Sequence, residues 1–409
     1  MPLQISIKLF LFLKRASLLT AFFLVLFSFS NLKAQEQLSP TSSISLLTCG
    51  SGSDLYSIFG HTAIRVKDTA QNLDIVFNYG TFQFSDDFYV QFVMGKLNYT
   101  LSIESFEGFE RGYKYENRWV VEQVLNLNEE ERNDVYQFLR TNYLPENREY
   151  LYDFFYDNCS TRPRDVFETV LGDKLVYHFR DYKKDSTFHD MLDVYLVNMQ
   201  WADCGMDLGL GKTADRVLSE REKMFLPDYV LRAYDEAEIK RSTGSVPLVS
   251  SKALIVEFIP IPQPFDFYQP MIVFWVLLLV YVLLAAIPFT RKVLVLLDIL
   301  LYFLVGIAGC LILFLWFVTD HTTTQVNFDL LWALPVYLFT AFGLWKKKKP
   351  NWLRRFYLAA AIINVSLLLF WAFIPQNLNE VYIPVILILI WRNIVYSGLT
   401  RQSIKQLMA

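Results

Sequence analysis

Cys159 and His61 are the two residues of this chain whose types and settings together make a nucleophile and its base. Cys159 lies in Tyr156-Asp157-Asn158-Cys159-Ser160-Thr161, and His61 lies upstream in Phe59-Gly60-His61-Thr62-Ala63-Ile64-Arg65. An imidazole that takes the proton of a thiol leaves a thiolate able to attack an acyl carbon, and the product is a thioester that a second nucleophile discharges. Singly, neither residue carries that reading: a lone cysteine is more often a small buried side chain, and a lone histidine more often a structural one. The pair, in a chain with four histidines, points to covalent catalysis.

The elements that must position them are legible nearby. After Cys159, the residues Val166, Phe167, Val170 and Leu171 fall at helical spacing and Gly172 is a natural stop, so the thiol sits at or just before a helix N-terminus. Free amides and the positive end of the helix dipole favour a thiolate there, and the same amides suit an oxyanion. Pro163 fits only the first turn, which leaves Asn158, Ser160 or Thr161 as the cap. His61 opens an alternating, strand-like run after Gly60. Asn78 lies on the next such run, where its amide oxygen would orient the imidazole; Asp157, in the nucleophile's own turn, is the alternative. Arg65, Arg162 and Arg164 are candidates for phosphate contact, with an ordinary surface arginine as the alternative for each.

Leu46-Leu47-Thr48-Cys49-Gly50, the stretch from Tyr56 to Arg65, Phe77-Asn78-Tyr79-Gly80-Thr81-Phe82, and Asp157-Asn158-Cys159-Ser160-Thr161 together resemble the periplasmic domain of the Lnb-type lipoprotein N-acyltransferases. The resemblance implies a circularly permuted papain-like (NlpC-type) exported domain, with histidine preceding cysteine, followed by a multi-span membrane half. It implies a membrane phospholipid as acyl donor, a diacylated lipoprotein as acceptor, and no cofactor.

The chain's start fits export. Lys8, Lys14 and Arg15 precede an apolar run over residues 16–29, and Ala34 is a small residue at the end, so 1–34 reads as a signal peptide, with an uncleaved anchor as the alternative. Residues 35–262 form the exported catalytic domain. Strands are expected near 44–48, 61–67, 73–79, 97–103 and 118–127, then helices near 128–143, 186–199 and 219–239, the last interrupted by Pro227 and the last two making a helical lobe. The class is α+β. Five prolines over 246–270 suggest a stiff linker reaching the lipid headgroups. Cys49 and Cys204 are the candidates for a disulfide, and no ligand spacing suggests a metal.

Residues 263–409 form an all-α membrane domain of about five helices, near 271–289, 293–318, 330–345, 356–373 and 381–394. Arg291 and Lys292, the run Lys346 to Lys349 with Arg354 and Arg355, and Arg392, Arg401 and Lys405 follow the first, third and fifth. The positive-inside rule places these in the cytoplasm, so the chain is integral to the bacterial inner membrane with its first domain in the periplasm. Residues 35–270 carry 23 basic and 37 acidic groups against 11 and 4 in 271–409. So acidic an exported domain excludes nucleic acid as a partner. The outer loop Asp320-His321-Thr322-Thr323-Thr324 either contacts substrate or the catalytic domain, or is a solvated polar loop. Besides the acyltransferase, the pair admits a papain-like peptidase or amidase acting on wall peptides, or a non-catalytic envelope scaffold; the membrane half favours a lipid substrate.

Overall fold

The computed structural model describes residues 37–82, 86–180, 185–260, 266–346 and 349–399. The expected signal peptide lies outside them, as do Lys347, Lys348, Arg401 and Lys405.

The exported half is built on seven antiparallel strands: β1 (Ser43–Cys49), β2 (His61–Asp68), β3 (Leu73–Thr81), β4 (Asn98–Ser105), β5 (Val120–Leu125), β6 (Glu149–Leu151) and β10 (Val249–Val256), in the order β10-β5-β1-β2-β3-β4-β6. Nearly every residue of β1 and β2 is buried, because helices cover both faces of the sheet. On one face, Phe106 and Phe109 of α2 (Phe106–Tyr115), with α1 (Phe88–Met94) preceding it in the chain, pack on Leu47, Ala63, Val76 and Val120. On the other, α3 (Glu129–Tyr143) and α4 (Thr161–Leu171) pack together and reach β4 and β2. Asn128 caps α3 reciprocally with Glu131, and three glutamates in its first turn face the positive end of the dipole.

The lobe comprises α5 (Phe188–Leu196), α6 (Gln200–Gly209), α7 (Glu220–Lys223) and α8 (Pro227–Glu236), beside a small sheet of β7 (Leu175–Val176), β8 (Glu238–Arg241) and β9 (Gly244–Pro247). The helix expected over 219–239 with an interruption at Pro227 is two, because Pro227 has no N–H to continue the first and opens the second. The linker expected after 246 is corrected in part: Val249–Val256 is an edge strand paired with β5. Its Ser-Ser-Lys run, exposed along its length, conceals the strand from a search for alternation.

The C-terminal half is helical, with α9 (Pro270–Ala286), α10 (Arg291–Phe317), α11 (Tyr337–Thr340), α12 (Asn351–Leu369) and α13 (Ile383–Ser397). Three helices among the described residues, Pro288–Phe317, Asn351–Leu369 and Glu380–Ser397, are long and apolar enough to cross a membrane. The third expected span is not one helix: 328–345 is a series of short helical turns. It presses on α10 so closely that a Cβ on Gly306 would meet Leu338 N at 2.2 Å and one on Gly309 would meet Ala333 O at 2.0 Å. Asp298 and Arg392, both buried, form a bidentate pair at 2.8 and 2.7 Å that ties α10 to α13. A buried charge left alone in such a setting is costly, which is why the two occur together.

Candidate active site

β2 and β3 are paired from Asp68 opposite Leu73 as far as Ile64 opposite Phe77, and they part beyond it. Cys159 stands at the parting. The Thr62 amide is directed at its sulfur, the Thr62 and Ser160 hydroxyls lie 3.2 Å apart, and Gly80 faces it from β3. A Cβ on Gly80 would fall 3.1 Å from that of Cys159, and the φ of +87° there already favours glycine. Gly60, at φ +79°, brings the head of β2 within 2.7 Å of Cys49 O in the same measure.

Asn158 shapes the turn before α4. Its Oδ1 accepts from the Ser160 amide (2.7 Å) and the Thr161 amide (2.9 Å), while its Nδ2 donates to Phe154 O (2.6 Å) and Phe225 O (2.9 Å). Ser160 and Thr161, expected to offer free amides to an oxyanion, therefore have none to give. The backbone groups that favour a thiolate here are instead those of Thr62 and Cys159 itself, against the larger effect of burial. Phe59, Phe154 and Phe155 sit in one apolar cluster with Phe188 and Phe225, so the segments carrying His61 and Cys159 share a core in the lobe.

His61 Nε2 is 3.2 Å from Asn78 Oδ1, and Asn78 Nδ2 donates to Glu104 Oε1 at 2.8 Å. With the amide hydrogens turned to Glu104, the oxygen faces His61, so Nε2 carries the imidazole proton and Nδ1 is the basic nitrogen. Burial pushes His61 down to about 4, against the bond from Asn78, and the positive charge of Arg118 lowers it further. Burial also pushes the Cys159 thiol up, and the Thr62, Ser160 and Cys159 donors offset this only in part. The lowered thiol expected at a helix start is thus reversed: half-enclosed between strands, the sulfur loses more from desolvation than it gains from its donors and from Arg118.

Asp157, the alternative partner for the imidazole, is held by Arg162 at 2.5 and 2.6 Å. Arg162 also stacks 3.7 Å over Tyr150, and Arg164 is buried against Asp165. Arg65 as a substrate contact is corrected: its guanidinium is buried, bidentate to Asp74 at 2.7 Å, bonded to Glu122 at 3.0 Å and 3.3 Å from the Phe106 ring centre. It clamps the sheet. Burial pushes the hydroxyls of Tyr99, Tyr150 and Tyr152 up, and a thiolate at Cys159 would push them further; Tyr99 stacks on Tyr152 at 3.9 Å.

Residues 29–184 match the family model described as the Lnb N-terminal periplasmic domain, and residues 262–403 match the one described as the Lnb transmembrane domain. The chain belongs to the Lnb family. No curated protein and no solved structure matches it. Lnb membership makes this a membrane protein with a domain facing the periplasm; it suggests an envelope lipoprotein-processing protein and an acyltransferase.

Within this Lnb chain the Asp320–His321 loop is a docking loop. Asp320 N donates to Met94 O (3.0 Å), His321 Nε2 lies 3.1 Å from Val93 O, and Thr322 donates to Asp153 Oδ2 (2.9 Å). The Asp320 amide and the His321 imidazole are thus seated on the end of α1, while the Asp320 carboxylate stays exposed, 3.7 Å from Lys96 Nζ. Cys49 and Cys204 are both free and lie in different clusters, Cys204 bonded to Tyr382 at 3.0 Å, so no disulfide joins them. Glu104 and Arg118 were not singled out from the sequence; neither belongs to a quoted motif, and only the sheet register and the folding of Arg118 against Gly50 bring them here, while Thr62 lies in the histidine's own motif without having been given a role.

Proposed function

We propose that the chain is a lipoprotein N-acyltransferase on a circularly permuted papain-like domain, embedded by multiple spans in the bacterial inner membrane with that domain in the periplasm. His61 Nδ1 takes the Cys159 proton as the sulfur attacks the acyl ester carbonyl of a phospholipid. The Thr62 and Cys159 amides stabilise the oxyanion that forms beside the sulfur. Collapse expels the lysophospholipid, whose alkoxide takes the proton from His61, and leaves the acyl chain on Cys159. The α-amino group of a diacylated lipoprotein then attacks the thioester; His61 takes the amine proton and returns it to the sulfur. That amine, with an unperturbed pKa of about 7.7–8.0, supplies its neutral form near neutral pH.

The observation that carries this reading is the Glu104–Asn78–His61 chain of bonds, which fixes the imidazole proton on Nε2 one residue from the Thr62 amide that meets the sulfur. A row of rings supports a lipid donor: Phe82 lies 5.3 Å from Tyr99 and 5.4 Å from Phe88, on the α1 helix, whose Val90 and Phe92 are exposed and whose end the outer loop holds. Transfer is tested with purified full chain, phospholipid vesicles and a synthetic diacylated lipopeptide. A free N-terminus should gain an amide-linked acyl chain and an N-acetylated one should not. Release of free fatty acid with no amide formed would refute the transferase in favour of a hydrolase.

A further inference from the structure

Asp203 and Asp207 stand four apart on α6 and so share one face; Asp193 comes to them from α5, and oxygens of the three lie within 4.8 Å of one another. A hard divalent cation takes carboxylate oxygens at about 2.0–2.6 Å, so three oxygens gathered this closely can share one. Two buried polar atoms at the same place lack a partner. Asp203 Oδ1 is enclosed and accepts no hydrogen bond. The His189 side chain is 1% exposed; its Nδ1 is 2.6 Å from Asp215, while its Nε2 has no hydrogen-bond partner and lies 3.7 Å from Asp207 Oδ1, too far for a bond. Asn379 Nδ2 donates to Asp207 Oδ2 at 2.8 Å and to Asp203 Oδ2 at 3.3 Å, leaving the other oxygens turned inward.

We propose that Asp193, Asp203 and Asp207 bind one hard divalent cation, for which calcium is the probe. The ion takes Asp203 Oδ1 as a ligand, and a water on it satisfies His189 Nε2. Its place is the seam between the lobe and the outer loops of the membrane half, where Asn377 N donates to Asp215 Oδ2 at 3.0 Å and Gln376 donates to Leu210 O at 3.1 Å. Neither the expectation of no metal nor the spacing along the chain reveals this site, because its ligands come from two helices.

The full chain, purified in detergent and stripped with EDTA, is dialysed at neutral pH against radiolabelled calcium. One saturable equivalent per chain is expected, with a rise in the thermal unfolding midpoint. Asp203→Asn and Asp207→Asn should each weaken binding by at least about tenfold, a loss that even an outer-shell partner can produce. If the wild type takes up no calcium at millimolar concentration, the proposal fails. Binding left unchanged in both variants would place the ion elsewhere and overturn it equally.

Discussion

Burial sets the charge state of the residues at the parting of the strands before any substrate arrives. With His61 pushed down to about 4 and the Cys159 thiol pushed up, both are neutral at neutral pH, and the proton moves only as the sulfur attacks. The base works while His61 is neutral, so acylation of Cys159 should hold its rate as pH falls from neutral and decline only as pH drops through about 4. A limb at the ordinary histidine value of about 6.5 would contradict the burial argument. Asn78→Ala should slow acylation by roughly one to two orders of magnitude, less than the ~10²–10⁴-fold carried by a general base. A single-turnover pH series on both proteins measures these effects. The setting of His61 at the head of a strand, of Asn78 within the next and of Cys159 just before a helix was legible. Their ionisation was not: helix-start logic lowers the thiol, and only the position of the sulfur between Thr62 and Gly80 shows why desolvation wins.

Elements were legible where the hydrophobic period was clean. The strands carrying His61 and Asn78, and the helix from Glu129 with its Asn128 cap, announce themselves by alternation and by capping chemistry. Three others do not. Val249–Val256 is a polar edge strand, Phe88–Met94 is a two-turn helix, and 328–345 breaks into short turns because Gly306 and Gly309 admit its backbone, a tertiary contact no local pattern encodes. Gly211 makes the equivalent approach between lobe and membrane half: its amide donates to Thr323 O at 2.9 Å, and a Cβ there would lie 2.1 Å from Gln325 O. Gly211→Val should therefore destabilise the seam by about 1–3 kcal/mol, the usual range for overpacking. Thermal unfolding in detergent should show a lowered midpoint, and an unchanged midpoint would mean the outer loop is not held as the structure has it.

At the scale of the whole molecule, the exported domain and the helical half are joined by side chains from both. Asn327 donates to Leu208 O and Leu210 O, both at 2.9 Å, Tyr382 donates to Cys204 O at 2.8 Å, and the Asp320–His321 loop grips the end of α1. The charge pattern made the division into two halves legible; their docking depended on Gly211, Asn327 and the outer loop, which carry no sequence signature. This joint fits a catalyst that takes a substrate from the bilayer and delivers it to a soluble site. The central claim is that Cys159 carries the acyl chain between donor and acceptor. Full chain incubated with phospholipid and no lipopeptide, then digested and weighed by mass spectrometry, should show one fatty acyl group on the peptide containing Cys159. Hydroxylamine should release it, and Cys159→Ala should never acquire it. A chain that transfers acyl groups with that peptide unmodified, or with the adduct on another residue, would contradict the account.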